Sequence, residues 1–142
     1  MIMDTSNQLF QNYDTSKIFV WNNRYQEESI TNSSYDVGTL EAGTVMARYI
    51  GTDMLIPFDS TDIKSMPIGI LTQSVTIQGG ETVNVNICVA GDVVAPKLVF
   101  VNGTDTLNTL MVNGELVRDA IQGDAVGIKL VGSTELTNFD NQ

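Results

Sequence analysis

The stretch VTIQGGETVNVNICV, residues 75–89, decides the fold class. Within it Val83, Val85, Ile87 and Val89 alternate with Asn84, Asn86 and Cys88. A period of two puts the apolar set on one side of an extended chain and the amides on the other, which is the pattern of a half-buried strand. Gly79 and Gly80 stand just upstream, and glycine tolerates the positive φ of a tight turn. Residues around 78–81 therefore read as the turn of a hairpin. Nothing in this most regular segment can do chemistry.

Outward from it, Gly38, Gly43, Gly51, Gly69 and Gly91 separate short β-prone runs at the spacing of a small all-β domain. Strands are expected at 44–49, 54–58, 69–71 extending toward 76, 82–89 and 97–100. Pro57, Pro67 and Pro96 lie near strand ends, where a missing N–H costs least. The period then changes. In VNGELVRDAI, residues 112–121, Leu116, Val117, Ala120 and Ile121 fall on one helical face, with Asn113 as the expected N-cap and Gly123 as the stop. A short helix near 115–122 and a last strand over 125–131 follow. The expected class is mainly β with one or two short helices, an α+β domain.

Residues 1–16 are rich in Asn, Gln, Ser, Thr and Asp and read as a mobile arm, because they offer little apolar surface to offset ordering entropy. Then Ile18, Phe19, Val20 and Trp21 form a β-prone run, Asn22 and Asn23 signal a turn, and Tyr25 follows. Two readings stay open here: a strand closing over the core, or an aromatic segment held ready for another chain.

Composition narrows the chemistry. The 142 residues suit one domain, and a formal charge of −10 disfavours direct nucleic-acid binding and anionic membrane surfaces. With no histidine, the usual Ser-His-Asp, Cys-His and zinc arrangements have no base or ligand. Cys88, the single cysteine, reads as a half-buried strand thiol and implies no oxidising compartment. Lys64 beside Ser65 points to opposite faces of an extended segment and makes a poor dyad. Asp53, Asp59 and Asp62 could hold Ca²⁺ or act as paired carboxylates, but a solvated loop explains them as well. The expectation is no catalytic, metal or cofactor site. Neither a signal peptide nor a membrane-spanning run is expected, so the chain reads as soluble and intracellular when made.

Five segments occur in an ordered series: Gly43 to Met46, Leu55 to Asp59, Pro67 to Leu71, Val89 to Val93 and Arg118 to Val131. Their order and spacing resemble the head decoration proteins of tailed bacteriophages, the family typified by the lambda head decoration protein, over residues 42–131. The resemblance implies a compact β-barrel-like or β-tulip domain with an extended N-terminal arm. It divides the chain into an arm and docking segment (1–37), a decoration domain (38–131) and a polar tail (132–142).

It also implies a non-enzymatic homotrimer, made in the cytoplasm of a bacterial host and bound to the outer capsid surface of a virion, where it clamps major capsid protein subunits. In that family the arm adds a strand to a capsid sheet. The corresponding docking residues here are Ile18, Phe19, Val20, Trp21, Tyr25 and Tyr35, with Ile18 to Trp21 as the added strand. A chain starting at Ser34 is then expected to keep its fold. The uncharged Asn84 and Asn86 suit a trimer interface, since amides cost less to desolvate than charges. The alternatives are a head fibre or host-attachment module and, from another class, a small enzyme or metal-binding β-domain.

Overall fold

The alternating segment is the central strand of the molecule. In the computed structural model, which describes residues 18–33, 35–52, 54–62, 65–123 and 127–132, eight strands form. They are β1 (Phe19–Thr31), β2 (Gly38–Leu40), β3 (Val45–Tyr49), β4 (Leu55–Pro57), β5 (Ser65–Leu71), β6 (Val75–Ile77), β7 (Thr82–Val94) and β8 (Gly127–Val131). One helix, α1 (Val117–Gln122), precedes β8. The domain is mainly β, as the alternation predicts.

Strand β7 pairs antiparallel with β1 along one edge. Its other edge is shared: β5 takes Ile87 and Cys88, and β8 runs parallel to residues 90–94. The main path is β1-β7-β5-β3-β4, and β2 pairs with β6 as a separate ribbon. A parallel neighbour needs a crossover connection, and the segment that carries α1 supplies it.

The sheet is buried on both faces. One face carries Val45, Ala47, Phe58, Ile70, Cys88 and Val93 against Val117, Ala120 and Ile121 of α1. The other gathers Ile30, Met46, Leu55, Leu71, Val85 and Ile87 with Ile77 of the ribbon. Neighbouring residues Ile87 and Cys88 are therefore both fully buried, as are Val45, Met46 and Ala47. That double cover explains why β3 reads as an unbroken apolar run while the exposed half of β7 alternates.

Four local expectations are corrected. Around residues 78–81 there is a turn but no hairpin ladder: Glu81 N–H donates to the Gln78 carbonyl at 3.0 Å, with Gly80 at φ 79° in the third position. That is a type II turn, whose twist splays the flanking strands, so β6 leaves for β2 and β7 for β1. Residues 97–100 are no strand. Ala95–Lys97 is a 3-10 turn with Pro96 in it, and only Val99 makes a bridge, to Thr44.

Residues 112–116 are not helical either. Met111 N–H bonds to Glu115 O at 2.7 Å and Gly114 N–H to Met111 O at 2.9 Å, a three-residue hairpin loop closed by Gly114 at φ 91°. Asn113 sits in that loop and Leu116 takes the N-cap position, so the helix starts at Val117. Gly123 does end it, in extended conformation. Finally, Asn22 and Asn23 interrupt β1 as a bulge without turning it. The arm expected over 1–16 and the tail beyond Gly132 lie outside the described residues.

Candidate functional site

The register of β1 on β7 determines which of its backbone groups face outward. Asn32 N–H donates to Glu81 O at 2.9 Å, and from there the even residues 30, 28 and 26 face β7. Glu27, Ser29 and Thr31 consequently direct N–H and C=O away from it. Among the described residues no strand pairs with that outer edge. An edge of thirteen residues is long for a natural sheet.

Toward its N-terminus β1 carries a bulge built from both strands. Asn22 adopts φ 56° opposite Gly91 at φ 103°. A Cβ on Gly91 would lie 2.6 Å from the Asn22 carbonyl oxygen, so the two backbones meet where only glycine fits. Asn23 Nδ2 pins the bulge by donating to Asp92 O at 3.0 Å and toward Cys88 Sγ at 3.5 Å. The register shift has a directional result. Phe19 pairs with buried Val93 and packs on the core, whereas Trp21, two residues on, pairs with Asp92 and is 69% exposed. In a regular strand those two would share a face.

Tyr25, 52% exposed, stands edge-on to Phe19 with ring centroids 6.1 Å apart. Partial burial pushes its phenol upward from the usual range, and the neighbouring Cys88 sulfur adds to that. Cys88 itself is raised by desolvation, and its thiol donates to Ala90 O at 3.1 Å. Both groups stay neutral near pH 7.

The six docking residues therefore divide. Tyr25 is brought against Phe19, and Trp21 stands exposed at the same bulged end of β1 without joining that ring contact. Ile18 and Phe19 pack on the protein's own core and Val20 is half-buried. The run 18–21 is thus not a strand waiting to be added elsewhere. It is already seated, with Val94 N–H bonded to Ile18 O at 2.8 Å and Phe19 and Trp21 paired to β7. Tyr35 is fully exposed in the loop after β1, roughly 30 Å of extended strand away from Trp21.

Asn84 and Asn86 are both exposed on β7. Asn84 Oδ1 accepts from Ser29 Oγ at 2.9 Å, a cross-strand rung, and the two asparagines line a shallow polar hollow with Glu27, Thr72 and Gln73. Beside it, Arg48 of β3 reaches Glu28 of β1 at 2.9 Å. Sequence reasoning missed this pair, because it assigned β1 no place against β3. It also missed a 330 Å³ apolar groove where Ile30, Leu40, Leu55, Ile56 and Ile77 converge. The β-prone character of Ile56 and Ile77 signals strands there, but not that β2 would close over them.

The acidic loop is held by protein donors. Asp59 accepts from Thr61 N–H at 3.0 Å, Thr61 Oγ1 at 2.8 Å and Asn102 Nδ2 at 3.0 Å, and these bonds lower its carboxyl below the usual range. Asp105, buried, accepts from the Ser60 N–H and hydroxyl. Among the described residues no three acidic or thiol groups are grouped to hold a metal. Asp53 and Lys64 lie outside the described residues. No protein-family model and no curated protein matches the chain.

Proposed function

We propose that this protein is a structural component of a tailed-phage virion, binding the outer capsid surface as a homotrimer and stabilising contacts between major capsid protein subunits. The observation that carries this reading is the outer edge of β1, a long ladder that no strand among the described residues pairs, with Trp21 and Tyr25 exposed at one end. Such an edge accepts an extended segment of a partner, with main-chain hydrogen bonds giving affinity and side-chain contacts giving register. The direction differs from the one that the resemblance implies: β1 receives a capsid strand instead of leaving its own fold to join one. Covering each aromatic ring contributes roughly 1.5–3 kcal/mol before ordering costs. The ordered series of segments over residues 42–131 supports the family assignment, and the net charge of −10 suits a protein partner better than nucleic acid.

The trimer contact is assigned to the amide face of β7 around Asn84 and Asn86. The test mixes purified protein with undecorated capsids of a candidate phage and measures bound copies against concentration. Saturable binding at three copies per local threefold site is the expected result, with sedimentation reporting the state of the free protein. Absence of saturable binding, or saturable adsorption to host cells instead, would overturn the assignment in favour of an attachment module.

A further inference from the structure

The chain contains two Asn-Gly pairs, Asn102-Gly103 and Asn113-Gly114, and the fold treats them differently. Asn102 is half-buried and anchored at both ends of its amide. Its Nδ2 donates to Asp59 Oδ1 at 3.0 Å, and its Oδ1 accepts from Thr104 N–H at 3.2 Å and Thr104 Oγ1 at 2.9 Å. Asn113 is exposed at the tip of the hairpin between Met111 and Glu115, and its Oδ1 accepts from Glu115 N–H at 3.0 Å. Both asparagines thus accept from the N–H two residues on, and the difference is Nδ2, which Asp59 holds at Asn102 and no described residue holds at Asn113. Neither glycine hinders attack, since a Cβ at Gly103 or at Gly114 would meet nothing within 4 Å, so the difference between the pairs lies in the asparagine side chains.

We propose that Asn113 is a site of spontaneous backbone-directed deamidation, and that Asn102 is protected by its network. The Gly114 amide nitrogen, freed from Met111 O by opening of the tip and deprotonated by hydroxide, attacks Asn113 Cγ. A C–N bond forms, the Cγ–Nδ2 bond breaks, and Nδ2 leaves as ammonia with a proton from water. The resulting five-membered imide then takes up one water. Opening at the side-chain carbonyl gives aspartate, and opening at the backbone carbonyl gives isoaspartate, whose main chain runs through Cβ. The sum is one amide and one water converted to one carboxylic acid and one ammonia, with no change of oxidation state.

The product differs physically from the starting hairpin. Isoaspartate lengthens the loop by one methylene, which breaks the register of the Met111–Glu115 pair. Either product places a second carboxylate, beside that of Glu115, among the exposed apolar side chains of Leu110, Val112 and Leu116. Buried Met111 anchors that hairpin beside α1, so the modified chain unfolds at a lower temperature.

The test holds the full chain in warm, mildly alkaline buffer, folded or in urea, and follows both asparagines by mass spectrometry. Trypsin cuts after Lys97 and Arg118, so a single peptide reports both pairs. In the folded protein Asn113 converts about tenfold faster than Asn102 or more, because releasing Asn102 requires breaking side-chain hydrogen bonds first. In urea the two rates converge. The Asn113→Gln variant stays folded and shows no conversion at that position. Equal rates in the folded protein, a faster Asn102, or protection of both pairs until urea is added would each overturn the proposal.

Discussion

The main path of the sheet has two ends, and they are finished differently. β4 is three residues long; Tyr49 N–H bonds Met54 O and Phe58 N–H bonds Val45 O, so Leu55 and Pro57 face outward. Pro57 has no N–H to offer, and the edge is blunted in the backbone itself. β1 is thirteen residues long and contains no proline. Its guards are the bulge at Asn22 and the charged side chains of Arg24, Glu27 and Glu28. A guard made of backbone refuses every strand, whereas a guard made of charges refuses most strands and admits one with matching charge. Among the described residues, one end is guarded by its backbone and the other by its side chains.

The severest way to break that comparison is to remove β1. A chain starting at Ser34 would strip β7 of its full-length partner and the core of Ile18, Phe19 and Ile30. Contrary to the sequence-based expectation that it keeps its fold, this fragment should show no cooperative thermal transition by circular dichroism. A sharp transition in the fragment would mean that β1 is dispensable. Next comes Gly91→Ala, which forces a Cβ to within 2.6 Å of the Asn22 carbonyl at φ 103°. A loss of about 3 kcal/mol or more in urea titration is expected, with β1 loosened first in hydrogen exchange.

A pair of proline substitutions sharpens the comparison. Glu28→Pro removes an N–H facing β7 and the ion pair with Arg48, at a cost of about 3 kcal/mol. Glu27→Pro removes an outward N–H and copies the device of β4 onto β1 at a cost of about 1 kcal/mol. It should therefore keep the fold and lose capsid binding; equal stability losses in the two variants would refute the assigned register. Trp21→Ala should leave stability within about 0.5 kcal/mol yet weaken capsid binding by about tenfold or more, measured on the same particles. The smallest effect is on pH. Because the folded pKa of Asp59 is lowered, its stabilisation is present above the ordinary carboxylate range and disappears as pH falls through the folded value. Asp59→Asn should flatten the acid side of the stability profile and leave the neutral side nearly parallel to that of the unaltered protein.

The legible part of the fold is the part that local period determines. Alternation at 82–89 finds β7, and the β-prone runs find β3 and β4 within a residue or two. What escaped depends on partners distant in sequence. Asn22 and Asn23 look like a turn until Gly91 lies across from them as the other half of a bulge. Two glycine-bearing turns form the reverse of what their local sequence predicts. Gly79 and Gly80 predict a hairpin and form a type II splay, while Asn113, expected as a helix N-cap, forms a hairpin with Gly114. The dipeptide Asn-Gly was the better hairpin signal, and the apolar spacing that follows it obscured that. Of the candidate site, the aromatic identities were visible in the sequence. Their exposure was not, because the flip between Phe19 and Trp21 depends on a one-residue register shift against β7.

The pairing of β1 with β7 also sets a schedule. Thr31 and Thr82, where the ladder begins, are 51 residues apart in the chain, and their hydroxyls lie 2.7 Å apart in the fold. At a synthesis rate of about 5–20 residues per second, β1 waits roughly 3–10 seconds for its partner to be made. During that interval both of its edges are bare, and the aromatic end has no core to rest on. Contacts this distant also slow the search once the chain is complete. Nascent chains on crowded ribosomes would then meet one another through β1 before they meet themselves, so this strand is the one a chaperone must shield first.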